Sequence, residues 1–135
     1  MTQSWIEVGA SSWKGGDSLA APFSNFGPGV VDLFAPGVDV YSTIPGNQYE
    51  KDSGTSMAAP VVTGVAALLM SYFPSLTAAD VKRILLNSAT RHTQQMVIRP
   101  GEGGTRVPFG SLSTTGGIVN VYNAVKMADQ TATRP

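Results

Sequence analysis

Apolar and polar positions along the chain follow different periods in different stretches. Val38-Asp39-Val40-Tyr41-Ser42-Thr43-Ile44 alternates and is rich in β-branched side chains, which predicts a strand. Pro45-Gly46-Asn47 supplies a turn after it, and Tyr49 to Ser53 is a polar lead-in with no element assigned. From Ser56 to Tyr72 the chain is apolar on nearly every face, which predicts a helix buried in a core rather than lying on a surface. Ala58, Ala59, Gly64, Ala66 and Ala67 let neighbouring backbones approach it. Pro60 falls near the first turn, where its missing N–H costs least, and Pro74 ends the helix. A second helix is predicted over residues 78–88: Val81, Ile84, Leu85 and Ser88 share one stripe, Lys82 and Arg83 fall outside it, and Thr77 with Asp80 resembles a capping box.

The remaining elements are shorter. Trp5 to Ala10 predicts a strand ending in a glycine turn, residues 14–22 a surface loop, and Val30 to Phe34 an apolar run broken only by Asp32. Residues 90–116 are rich in Gly and Pro, with a hairpin between Met96-Val97-Ile98 and Arg106-Val107-Pro108. Ile118-Val119 is a short strand, Asn120 caps a last helix from Val121 to Met127, and residues 129–135 form a frayed tail. No internal repeat is present. Strands alternating with helices give an α/β class with a mostly parallel sheet under helical cover.

Composition narrows the function classes. With 135 residues the chain is one domain or part of one, and 42% apolar against 13% charged residues argues against disorder and for surface that meets other protein. The formal net charge is zero, which predicts no nucleic-acid or anionic-membrane partner. There is no cysteine, hence no disulfide and no thiolate metal site. No signal-like segment is read in this chain, and no membrane span is expected because no unbroken apolar run reaches about 18 residues.

The chemistry concentrates in Gly54-Thr55-Ser56-Met57-Ala58-Ala59-Pro60. A small hydroxyl there sits at the start of a long apolar helix, where backbone N–H groups lack intrahelical partners and the dipole is positive. An oxyanion forming beside Ser56 would be held by those donors. The mundane alternative is that Ser56 or Thr55 only caps the helix. An isolated serine is a poor nucleophile without a base. The only histidine, His92, lies in polar sequence after the second helix and is expected to be a solvated loop residue. Asp32, Asp39 and Asp52 are expected at turns or on the surface, and one carboxylate such as Asp32 makes a weak case for a cation.

The longer context resembles the subtilisin-like serine endopeptidases, the subtilases. The serine motif is followed by Val61-Val62-Thr63-Gly64-Val65-Ala66-Ala67-Leu68-Leu69. Upstream stand Phe23-Ser24-Asn25-Phe26-Gly27, Asp32-Leu33-Phe34-Ala35-Pro36-Gly37 and Tyr41-Ser42-Thr43, and downstream Gly117-Ile118-Val119-Asn120-Val121. The resemblance covers roughly residues 5 to 128. It implies that residues 1–128 are the C-terminal part of a subtilisin-like domain, with a buried central helix starting at the serine. It implies that Ser56 is the nucleophile, that its N–H and possible extra donors such as Thr55 hold the oxyanion, and that Gly54 and Met57 lie beside the substrate. In that family the aspartate and histidine precede the serine, and an asparagine completes the oxyanion hole. None of these blocks is in this chain, so it resembles a serine-bearing segment that is inactive alone. No cofactor or metal is assigned, although structural calcium occurs in some relatives. The partners implied are a protein or peptide substrate and the N-terminal part of the domain, with self-association of this chain to hide apolar surface, and a secreted or cell-envelope parent. The alternative is a degenerate relative acting as a peptide-binding or interaction module.

Overall fold

The computed structural model describes residues 4–132. In chain order it contains strand β1 (Val8–Ser11), a short 3-10 turn at Gly16–Ser18, strands β2 (Leu33–Pro36), β3 (Val40–Ile44) and β4 (Gln48–Asp52), and helices α1 (Thr55–Tyr72) and α2 (Ala78–Ser88). Strands β5 (Thr90–Arg91), β6 (Met96–Ile98) and β7 (Arg106–Pro108), a 3-10 turn at Phe109–Leu112, β8 (Gly117–Ile118) and helix α3 (Val121–Ala132) follow. The main sheet runs β1-β2-β8-β5, with β1/β2 and β2/β8 parallel and β5 antiparallel to β8. The fold is therefore α/β around a mostly parallel sheet.

Alternation along the sheet divides the core. Ala10 and Ala35, paired across β1 and β2, face the helices and pack with Ala58, Val62, Val65 and Leu69 of α1. Phe34 points to the opposite face and packs with Val31, Val97, Phe109 and Leu112 beneath the β6–β7 hairpin. Alanines at the first contact let the N-terminal turns of α1 lie close over β1 and β2.

Several expectations need correction. The helix at the serine has the predicted span, but within this chain it is not covered on every face. Ala58, Val62, Val65 and Leu69 are buried, while Leu68, Met70 and Tyr72 remain exposed. The physical reason is that the four-stranded sheet and α2 and α3 cover one side only. By length and composition α1 could cross a membrane, yet its buried stripe packs on a sheet, as the core helix of a folded domain does. Strand β4 was not anticipated: it pairs with β3 from Val40↔Asp52 to Ile44↔Gln48 around Gly46 and Asn47, both at positive φ. The last helix continues to Ala132 instead of ending at Met127, so residues 129–132 are helical and not frayed. Residues 133–135 of the expected tail lie outside the described residues.

The caps agree with the sequence. Thr77 Oγ1 accepts from the Asp80 N–H at 3.1 Å and Asp80 Oδ2 accepts from the Thr77 N–H at 2.9 Å, closing the box at the start of α2. The Thr77 N–H, and then Arg83, hold the Asp80 carboxyl below its ordinary range. Asn120 Oδ1 accepts the Asn123 N–H at 2.9 Å and caps α3.

Asp32 is not a surface or turn residue. It is 3% exposed, accepts the Glu7 N–H on Oδ2 at 2.9 Å, and lies 3.9 Å from the Lys82 ammonium, itself 8% exposed. Lys82, outside the apolar stripe of α2, is drawn inward by that carboxylate. Asp32→Ala would leave the ammonium in the core without this carboxylate. The Glu7 N–H would lose its acceptor too, so the expected loss is about 1–3 kcal/mol, read as a lower denaturant midpoint; a midpoint unchanged within error would contradict it.

Candidate active site

Ser56 is the second residue of α1, exposed, and directly follows a turn that the sheet anchors. The N-cap is Gly54, in extended backbone (φ 161°, ψ 164°), with no side chain capping the helix. This removes the mundane reading: neither Ser56 nor Thr55 serves as a cap. Among the described residues neither hydroxyl has a hydrogen-bond partner. The Gly54 carbonyl accepts the N–H groups of Met57 at 3.0 Å and Ala58 at 3.3 Å, while the Thr55 and Ser56 N–H groups meet no acceptor among the described residues. A free hydroxyl thus stands beside two free donors at the positive end of an 18-residue helix.

Ser56 opens onto a cleft of about 330 Å³ between the first turns of α1 and the β3–β4 hairpin. Strand pairing sets Val40, Ser42 and Ile44 of β3 on the same face as Glu50 and Asp52 of β4, and these five line the cleft with Met57, Pro60 and Val61. The Met57 sulfur stands 3.4 Å from where a Cβ on Gly54 would lie, so the thioether packs against the turn that carries the serine. Met57 is half-buried, and its role is shared between packing and lining the cleft. The other face of the hairpin carries Tyr41 and Tyr49, stacked at 5.7 Å. Sequence reasoning missed Glu50 and Asp52 as cleft residues because it did not see β4. A polar segment beyond a Pro-Gly-Asn turn, facing an alternating strand, was the available signal.

Of the other candidates the structure brings Asp52 to the Ser56 cleft, and His92, Asp32 and Asp39 do not line it. His92 follows β5, donates its N–H to the Gly116 carbonyl at 2.9 Å, and lies edge-on to Phe109 with ring centroids 6.2 Å apart. It is half-buried, not solvated as the sequence suggested, because its ring covers the small core under β6 and β7. It is not among the residues lining the Ser56 cleft. Asp39, at φ 54°, accepts from the Trp13 indole at 3.3 Å, and Asp52 accepts the Ser53 N–H at 2.7 Å. Asp32 is committed to Lys82 and Glu7. Among the described residues there is no group of three or more His, Asp or Glu that could hold a metal ion.

The cleft therefore holds an unpaired hydroxyl beside unpaired N–H donors, and no histidine lines it. In a protein with activity, His92→Ala should leave kcat/KM within a few-fold, since the ring touches Phe109 and not the cleft; a loss of 100-fold or more, about the contribution of a general base, would contradict this in a variant that remains folded.

Comparison with known proteins bears on the family and the fold. A model of the subtilase family matches residues 1–110. Over 70 residues, 52% of this chain, the sequence is 49% identical to subtilisin DY of Bacillus licheniformis, of whose length the match covers 25%. The fold superposes on a chain of the subtilase cytotoxin SubAB assembly with a TM-score of 0.73 and 28% identity, over 94% of this chain and 37% of that one. It superposes on the self-cleaved protease domain of PatA with a TM-score of 0.68 and 30% identity, over 93% of this chain and 42% of that one.

Proposed function

The chain belongs to the subtilase family of serine peptidases, and from that premise we propose that it is the serine-bearing segment of a longer endopeptidase, catalytically silent by itself. The observation that carries this reading is the free Ser56 hydroxyl beside unpaired N–H groups at the start of α1. In the complete protein the Ser56 oxygen attacks the scissile carbonyl while a histidine from another segment takes its proton. The negative oxygen so formed is held by the Ser56 N–H and a donor from outside this chain. Collapse breaks the C–N bond, the histidine returns the proton to the leaving amine, and water then releases the acyl group from Ser56 by the same path in reverse. Met57 and the β3–β4 hairpin border the bound peptide. The parent acts outside the cytoplasm, as a secreted or cell-envelope enzyme.

The test is capture of the acyl-enzyme. A rapidly quenched reaction of the full-length protein with an activated ester should show one acyl adduct, on the peptide containing Gly54–Pro60. An adduct confined to another residue, in an active protein, would refute the assignment.

The open face of α1 supports a second element of the reading. Ile6, Val8, Ala59, Val62 and Ala66 line a shallow apolar depression beside β1, an outer strand of the main sheet. Apolar patches above a few hundred Å² are rarely left open, so the chain alone should self-associate or bind the N-terminal part of its domain. Sedimentation should show a dimer or larger species. A compact monomer at high concentration that binds no hydrophobic dye would contradict this.

A further inference from the structure

The peptide before Ser56 is seated on Gly37, and Gly37 has no room for a side chain. The Gly54 N–H donates to the Gly37 carbonyl at 2.8 Å, and the Gly37 N–H donates to the Ser11 carbonyl at 3.0 Å. Two backbone hydrogen bonds thus tie the serine turn through the end of β2 to β1. A Cβ on Gly37 would lie 2.7 Å from the Ala10 Cβ, 2.8 Å from the Gly54 carbonyl oxygen and 3.2 Å from the Ala58 Cβ. None of these atoms can rotate away, because each is backbone or attached directly to it. The backbone at Gly37 is not among those in the left-handed region, so crowding alone demands glycine there.

The crowded oxygen is the one that sets the first turn of α1. The Gly54 carbonyl accepts from Met57 and Ala58, and the unpaired N–H groups of Thr55 and Ser56 lie between donor and acceptor ends of that turn. Moving Gly54 by a few tenths of an ångström re-aims the Ser56 N–H and the hydroxyl together. We propose that Gly37 is a positioning residue for Ser56: its bare Cα lets Gly54 seat against the sheet, and that seat aims the nucleophile and its oxyanion donor. The kinetic part of this inference rests on the reading of Ser56 as nucleophile; the structural part does not.

The test separates packing from positioning. Gly37→Ala collides with both Ala10 and Gly54, whereas Ala10→Gly in the same chain removes only the first collision. In the full-length protease Gly37→Ala should lower kcat on the order of 100-fold, the scale of one lost oxyanion donor, with KM changed less than about threefold, since transition-state contacts are lost rather than ground-state binding. Adding Ala10→Gly should raise the thermal midpoint again but leave kcat low. Recovery of kcat along with the midpoint, or a folded Gly37→Ala enzyme with kcat within threefold of wild type, would overturn the proposal. Amide hydrogen exchange on the unmodified 135-residue chain keeps it testable if the variants fail to fold. The Gly54 N–H should be protected and those of Thr55 and Ser56 fast, and a fast-exchanging Gly54 would also overturn it. Ser56→Ala with activity retained would instead remove the nucleophile reading, leaving the exchange pattern to decide the seat.

Discussion

Ser56→Ala in the full-length protease is expected to lower kcat by roughly six orders of magnitude, the loss found when the serine of a subtilisin triad is removed. The magnitude follows from the mechanism. Without the hydroxyl there is no acyl-enzyme, and the histidine and aspartate have nothing to activate, so their contributions vanish with it. The remaining N–H donors can still polarise a bound carbonyl, which sets the residual rate. Stability should hardly move. The hydroxyl caps nothing, is exposed, and has no partner among the described residues, so the change falls within the ±0.5 kcal/mol or so of an ordinary surface substitution. A variant that is folded by circular dichroism and inactive by peptide hydrolysis separates chemistry from folding; one that keeps activity refutes the nucleophile.

The second large effect is expected from the 135-residue chain by itself, which should hydrolyse peptide amides no faster than background. Ser56 keeps its N–H and its place at the helix start, yet the one histidine of the chain is held against Phe109. Glu50 and Asp52 reach the same cleft, but neither accepts a hydrogen bond from the Ser56 hydroxyl, and a general base must reach the proton it takes. Peptide hydrolysis that persists through purification and disappears in Ser56→Ala would show that a base is present after all.

Much of this was legible in the sequence, and the misses share physical causes. The α2 helix was plain because its period and its capping box agree, and Thr77 and Asp80 do close that box. The β6–β7 hairpin was visible from the apolar run Met96-Val97-Ile98 and Arg106-Val107-Pro108 on either side of a Gly-rich stretch. Strand β4 was not, because all five of its residues are exposed, so no apolar alternation marks it; its partner β3 and the turn at Gly46 define it. The Asp32–Lys82 pair was missed because each charge, taken singly, belongs on a surface, and only the fold shows them meeting. The burial of α1 was overestimated for a different reason. An apolar pattern reports the cover a helix is built for, and within this chain only the stripe at Ala58, Val62, Val65 and Leu69 receives it. For the candidate site, the motif singled out Gly54, Ser56 and Met57, of which Ser56 and Met57 line the cleft and Gly54 is the N-cap before it. The seat on Gly37 was not, since a glycine in a Pro-Gly pair reads as a turn until the atoms crowding it are seen.

Ser56 is proposed to be a nucleophile whose base comes from outside these 135 residues. The most direct measurement is the rate at which a fluorophosphonate probe labels Ser56, mapped by mass spectrometry in the full-length protein and in the isolated chain. Rapid labelling of one serine, Ser56, is expected in the first and labelling near background in the second. Equal labelling of Ser56 in both, or an active full-length protein labelled elsewhere, would contradict it.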